Sequence, residues 1–229
     1  MDKAIRWLKA TLDYEFADAR LFTQALTHRS ADGGSNERLE FLGDAVLDTV
    51  ISEIVFRAMP HADEGDLSRL RSSLVKDKTL AELGGELGIG EYLILGGGEK
   101  KTGGHRRASI LADAVEALFG AVYLDQGFAA AAKIIVRVYG ERLEHLPDPR
   151  GLRDSKTQLQ EWLQARKMNL PEYQLAGVSG QAHRQVFEVR CVIEGVVEIA
   201  IGRGSSRRSA EQQSARHMLA ELTGTSDGS

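Results

Sequence analysis

Cysteine is nearly absent: Cys191 is the only one in 229 residues, so no disulfide can form within the chain. Long apolar runs are absent too. No segment reaches the ~20 consecutive apolar residues that a membrane-spanning helix needs, so no membrane partner is expected. Met1 to Lys9 is charged and amphipathic without an apolar centre, unlike a secretory signal. Together these absences make a cytoplasmic protein the expectation. Prolines number four, and Pro147 and Pro149 crowd into one short stretch. Nor is there a large excess of one charge. The formal net charge is −4, with 27% charged and 42% hydrophobic residues, an ordinary composition for a soluble globular protein.

The small net charge hides an asymmetry. Residues 1–146 carry 18 Lys and Arg against 23 Asp and Glu, a net of −5, whereas residues 152–222 carry 10 against 8, a net of +2. Any nucleic-acid contact in the second part must therefore come from the placement of charge rather than its bulk.

The pattern of apolar residues divides the chain at the same place. Segments 3–12, 18–28, 36–59, 66–74, 77–86, 107–124 and 128–145 show helical spacing, separated by polar or glycine-rich turns. Ser35 or Asn36 is the expected N-cap of the third segment, and Gly127 the expected stop of the sixth. Residues 147–155, with two prolines, a glycine and no periodicity, read as a linker. Beyond it Lys156 to Lys167 is helical, Tyr173–Ser179, Gln185–Ile193 and Val196–Gly202 alternate like antiparallel strands, Glu194-Gly195 marks a tight hairpin, and Ser206–Leu222 is helical again. The expected architecture is an all-α domain over residues 1–146, the linker 147–155, a small α+β domain of order α-β-β-β-α over 156–222, and a fraying polar tail, 223–229.

Two helical segments carry acids at spacings that share one face. Glu40 and Asp44 are four apart in Asn36-Glu37-Arg38-Leu39-Glu40-Phe41-Leu42-Gly43-Asp44-Ala45-Val46-Leu47, and Asp113 and Glu116 are three apart in Ile110-Leu111-Ala112-Asp113-Ala114-Val115-Glu116-Ala117-Leu118-Phe119. Such a pair usually marks a solvated helix face. Two features argue otherwise here. Asp113 and Glu116 are the only acids from Ile110 to Leu124, and buried carboxylates are costly unless paired or bound to metal. Gly43 stands mid-helix, where it costs roughly 1 kcal/mol relative to alanine, which suggests the close approach of another backbone. Four carboxylates from two helices make an oxygen-only cluster suited to Mg²⁺ or Mn²⁺. Asp48 continues the stripe and Glu37 precedes it; solvation suits the first and an ion pair the second. Spacing alone leaves phosphodiester hydrolysis, pyrophosphate hydrolysis and di-iron chemistry open. Neither acidic helix has the Glu-x-x-His pair of di-iron bundles, which lowers the last.

The two acidic motifs, with Thr27-His28-Arg29-Ser30 before them and Ser109 opening the second, resemble the ribonuclease III family of double-strand-specific RNA endonucleases. The second part resembles that family's double-stranded-RNA-binding domain through Lys156-Thr157-Gln158-Leu159-Gln160-Glu161-Trp162, Gly180-Gln181-Ala182-His183 and Gly204-Ser205-Ser206-Arg207-Arg208-Ser209-Ala210-Glu211-Gln212. The resemblance covers essentially the whole chain and fits the compact bacterial type. It implies that Glu40, Asp44, Asp113 and Glu116 bind Mg²⁺, with Mn²⁺ as a substitute, and that Asp44 and Glu116 carry catalysis, Glu116 being the most sensitive to change. It also implies a structural role for Glu37 near a dimer interface and an apolar knob there for Phe41. Two positions depart from the family pattern. Ser209 stands where lysine is usual, leaving Arg207 and Arg208 to bind phosphate, and Asp48 stands where an uncharged residue is common.

Neither acidic motif contains Cys, His or Lys, so the expected nucleophile is water activated by two divalent ions about 4 Å apart, with no covalent intermediate. The resemblance implies 5′-phosphate and 3′-hydroxyl ends, and two-nucleotide 3′ overhangs cut by a homodimer joined through the nuclease domain. It suggests ribosomal precursor processing and messenger RNA processing or decay. A-form RNA is recognised by shape across its minor grooves. Thr157, Gln160 and Glu161 share a helix face suited to ribose hydroxyls, His183 suits the next minor groove, and Arg207 and Arg208 add charge at a helix N-terminus. Lys100, Lys101, Arg106 and Arg107 among glycines read either as a surface loop or as contacts to backbone phosphate. A silent RNA-binding protein and a nucleotide pyrophosphohydrolase are the competing readings. The filled ligand positions disfavour the first and the RNA-binding segment disfavours the second.

Overall fold

The most apolar stretch of the chain, Ala108–Tyr139, becomes the central helix of its first unit. From Ile110 to Val122 every residue is buried except Asp113 and Glu116, which are partly exposed. The computed structural model describes residues 1–181 and 184–224, and of Arg150 the backbone alone. It divides into two compact units, Met1–Leu152 and Arg153–Ser229.

The first unit is helical: α1 (Asp2–Leu12), α2 (Ala19–Ala25), α3 (Glu37–Ala58), α4 (Glu64–Val75), α5 (Asp77–Leu87), α6 (Gly97–Lys101), α7 (Ala108–Tyr139) and α8 (Glu141–Glu144). Leu8 and Leu12 of α1, Leu47 and Ile51 of α3, Leu80 and Leu83 of α5, and Val115, Leu118 and Phe119 of α7 are almost wholly buried in one core. Each such side chain stabilises the fold by roughly 1.5–3 kcal/mol. Helices α3 and α7 pack closely, and glycine permits the approach. A Cβ added at Gly43 would lie 1.8 Å from the Glu116 carbonyl oxygen, and one at Gly120 would lie 2.2 Å from that of Leu39. The mid-helix glycine expected to mark a close approach does so.

In the second unit α9 (Ser155–Ala165) is followed by three antiparallel strands in the order β1 (Glu172–Ser179), β2 (Val186–Val192) and β3 (Ala200–Gly204), then by α10 (Arg207–Thr223). This is the expected α-β-β-β-α order. The β1–β2 register shifts between Leu175 and Gly177. Leu159, Leu163, Cys191, Ile193, Ala215 and Met218 form its separate core.

Several local expectations are corrected. Gly127 leaves helical geometry (φ 79°), yet the helix resumes at once, because Ala131, Ile134 and Ile135 continue the buried face; the chain breaks instead at Gly140. β3 begins at Ala200 rather than residue 196. The Glu194-Gly195 turn forms, but Val197 is 92% exposed, so the apolar residues after the turn are a loop and the hairpin is not tight. Asn36 occupies the N-cap position of α3 without capping it, since its buried amide donates to the Ala25 carbonyl. Pro149–Leu152, inside the expected linker, forms a 3-10 turn, with Leu152 packed against the first core. The glycine-rich stretch after residue 95 contains α6 and a 3-10 turn at Gly104–Arg106.

Candidate active site and RNA-contact surface

The crossing of α3 and α7 brings the four candidate acids within electrostatic reach of one another. Burial, then the charges of Asp44, Glu40 and Asp113, raise the carboxyl of Glu116 from its ordinary value to about 8. Burial, followed by Asp113 and Glu37, raises Glu40. Burial and then Asp48 raise Asp44. Burial and then Asp77, at the start of α5, raise Asp113, against weaker pulls from His28 and Arg29. Glu116 thus feels all three of its proposed partners, and no cation offsets it among its leading influences.

Glu40 and Asp113 line a cleft of about 680 Å³, together with His28, Arg29, Glu99 and Ser109. Asp44 and Glu116 lie outside that lining, one turn further along their helices. Among the described residues no three acid, histidine or cysteine side chains are gathered closely enough to enclose an ion. The donor set is nonetheless all oxygen, with Glu40, Asp113 and Glu116 partly buried and Asp44 exposed, and among the described residues no cation contacts it, which suits a hard divalent ion.

The residues beside the acids are placed by backbone bonds that sequence spacing did not reveal. Thr27 bridges Ile94, the His28 N–H donates to the Ile94 carbonyl at 3.0 Å, and the Gly96 N–H donates to Ser30 Oγ at 3.0 Å. The Thr27-His28-Arg29-Ser30 motif therefore anchors the start of the basic segment. Lys100, Lys101 and Arg106 are exposed there. Arg107 is already committed in part, with Nη1 2.7 Å from Glu99 Oε1. Asp77, His28, Arg29 and Glu99 were missed as site neighbours; only the motif match pointed to His28 and Arg29. Asp48 is half-buried with Arg71 Nε 3.9 Å away rather than simply solvated. Glu37 lies 3.6 Å from Arg29 and accepts from Ser35 Oγ at 2.9 Å. Phe41, on the same helix, is 79% exposed.

In the second unit Thr157, Gln160 and Glu161 are exposed on one face of α9. Arg207 and Arg208 open α10, also exposed, and Ser206 caps that helix by accepting from the Ser209 N–H at 3.1 Å. His183 lies outside the described residues.

Known proteins resemble both units of the chain. Residues 18–143 match the ribonuclease-III-like domain family, and residues 155–222 match the double-stranded RNA binding motif. The chain is 51% identical to ribonuclease 3 of Nitrosococcus oceani over 97% of its length and 96% of that protein's. It is 53% identical to ribonuclease 3 of Alkalilimnicola ehrlichii over 94% of each. Among solved structures, the nuclease domain of ribonuclease III from Campylobacter jejuni superposes with a TM-score of 0.60 at 42% identity, covering 63% of this chain and 99% of that domain. A second structure of that domain, described as flexible in a region involved in dimer formation, gives 0.57 at 44% identity, over 58% of this chain and 94% of that one. By domain match and by near-full-length identity, the chain belongs to the ribonuclease III family of endoribonucleases acting on double-stranded RNA.

Proposed function

We propose that this endoribonuclease uses Glu40, Asp44, Asp113 and Glu116 to hold Mg²⁺, with Mn²⁺ as a substitute, and cuts both strands of an RNA duplex as a homodimer. The observation that carries the reading is Glu116, raised to about 8 by burial and by the other three acids at a crossing that only glycine permits. A divalent cation held by these residues would offset charge on the phosphate and acidify water so that it attacks more readily. The four side chains fix where that charge stands relative to the cleft. Neither acidic motif offers Cys, His or Lys as a covalent nucleophile, which favours direct hydrolysis to 5′-phosphate and 3′-hydroxyl ends.

The exposed Lys100, Lys101 and Arg106 lie in the segment anchored beside the cleft, where they meet the phosphate backbone; Arg107 joins them in part. Thr157, Gln160, Glu161, Arg207 and Arg208, joined by His183 of the Gly180-Gln181-Ala182-His183 motif, hold the duplex by shape. One centre cuts one strand, so a two-fold pair of centres gives the double cut with two-nucleotide 3′ overhangs. Phe41, 79% exposed beside Glu37, supports a self-contact on α3, as does the dimer-forming region described for the Campylobacter jejuni domain. Processing of ribosomal precursors and of messenger RNA in the cytoplasm is the corresponding cellular role.

The test is cleavage of a long perfect RNA duplex in Mg²⁺ by the wild type and by Glu116→Gln. The expected result is cutting to ends with two-nucleotide 3′ overhangs, reduced about a thousandfold in a variant that still binds. Binding without cutting by the wild type in both Mg²⁺ and Mn²⁺ would overturn the reading in favour of a silent RNA-binding protein.

A further inference from the structure

The side chains proposed to touch RNA in the second unit sit on two helices, α9 and α10. They meet one duplex together only if the spacing of those helices is fixed. A polar clasp spans them. Lys156 Nζ lies 2.6 Å from Glu211 Oε2 and 4.3 Å from the centre of the Tyr173 ring on β1. Glu211 Oε1 accepts from Arg207 Nε at 3.0 Å. The Lys156 and Glu211 side chains are only 34% and 14% exposed. The next residue repeats the link: Gln212 Oε1 accepts from the Ser155 N–H at 2.8 Å, and its amide donates to the Asp154 carboxylate. That carboxylate also caps α9, accepting from the Lys156 and Thr157 N–H groups at 3.1 Å each.

We propose that Glu211 and Gln212 are positioning residues for double-stranded RNA: through Lys156, Ser155 and Asp154 they hold α9 and α10 at the spacing one A-form duplex requires. The inference rests on the RNA-contact surface proposed above. Glu211 is a carboxylate beside a phosphate-binding patch, where charge alone opposes binding. Its partial enclosure between Lys156 and Arg207 gives it a different task, and these two cations, Lys156 foremost, keep its carboxyl below the usual range. Lys156 is likewise turned inward onto a ring and a carboxylate rather than left free for phosphate.

Glu211→Gln separates the possibilities by sign. Removing the carboxylate makes the surface more positive, which by charge alone tightens phosphate binding. Positioning predicts the reverse. The measurement is the affinity of the full chain for a ~30-base-pair RNA duplex, longer than the ~16 base pairs such a domain spans, in EDTA and at several salt concentrations. Melting of each variant by circular dichroism accompanies it. Glu211→Gln should bind about tenfold more weakly, the effect of losing a charge-assisted hydrogen bond, with a shallower salt slope. Gln212→Ala, which changes no charge, should also weaken binding while melting well above the assay temperature. Equal or tighter binding by a folded Glu211→Gln overturns the proposal; if that variant melts too low, the same result for Gln212→Ala overturns it. Failure of the wild type to bind, or wild-type affinity in Arg208→Ala, would instead defeat the RNA-contact reading itself.

Discussion

The two units treat enclosed charge in opposite ways. Where α3 and α7 cross, Glu40, Asp44, Asp113 and Glu116 are all pushed above their ordinary range, by burial first and then by neighbouring carboxylates. In the second unit Glu211, its side chain 14% exposed, is held below its range because Lys156 and Arg207 face it. The difference separates architecture from function. A charge matched inside the fold completes the fold, whereas charges left facing one another need a partner from outside. Both arrangements cost desolvation, and only the matched one, at Glu211, has its compensation within the protein.

The contrast breaks most violently if the helix approach is opened. Gly43→Ala places a methyl group 1.8 Å from the Glu116 carbonyl, which is backbone and cannot swing aside. We expect a loss of about 2–3 kcal/mol and a fall in Tm on the order of 5–10 °C, even after the helix-propensity gain of alanine. Cleavage should fall about a hundredfold, because α3 carries Glu40 and Asp44 away from Asp113 and Glu116. Gly85→Ala is the control. It lies in α5 with nothing within 4 Å, and should stabilise by up to about 1 kcal/mol. Wild-type melting and activity in Gly43→Ala would show that the acid cluster does not depend on this crossing.

The acid pairs and their glycine were legible because both signals are local: helical spacing and one residue of poor propensity. Asp77 was not. It raises Asp113 and Glu116 from the start of another helix, and only the tertiary packing of α5 on α7 brings it there. The same holds for Glu99, which takes up Arg107 inside a stretch whose glycines masked α6. In the second unit the fold order was plain from alternation. The clasp was not, because Lys156 and Glu211 are 55 residues apart and each reads alone as a surface charge.

A smaller effect sharpens the contrast through pH. The Glu116 carboxyl, at about 8 in the folded chain, binds more proton than in the unfolded chain between its ordinary value of 4.5 and about 8. In EDTA, stability therefore falls as pH rises through that window. Glu116→Gln removes the contribution. It should melt a few degrees above the wild type at pH 8 in EDTA, the gap closing by about pH 5, and added Mg²⁺ should raise the melting temperature of the wild type more than that of the variant. A gap that is constant with pH would mean that neither burial nor the neighbouring acids raise the Glu116 carboxyl in the folded chain.

The matched side is tested by the two arginines that open α10. Arg207 is shared with Glu211, whereas no ion pair holds Arg208 among the described residues. In duplex-binding titrations Arg208→Ala should weaken binding roughly tenfold and lower the salt slope by about one, and Arg207→Ala should weaken it roughly threefold. Equal losses would mean that the ion pair with Glu211 opens freely when RNA arrives.

The smallest expected effect comes from Ser209. It is exposed in the first turn of α10, and its N–H is taken by the Ser206 cap. Ser209→Lys adds an unmatched cation beside Arg207 and Arg208. Duplex affinity at low salt should rise about two- to threefold, and the gain should fade as salt screens it. The same cation stands at the positive end of the helix, where it costs about 0.3 kcal/mol, so the melting temperature should fall slightly. Affinity and stability then move in opposite directions, as expected for a charge whose partner lies outside the protein. Weaker or unchanged binding would place residue 209 off the phosphate track and leave Arg208 as the main cation at that end of the helix.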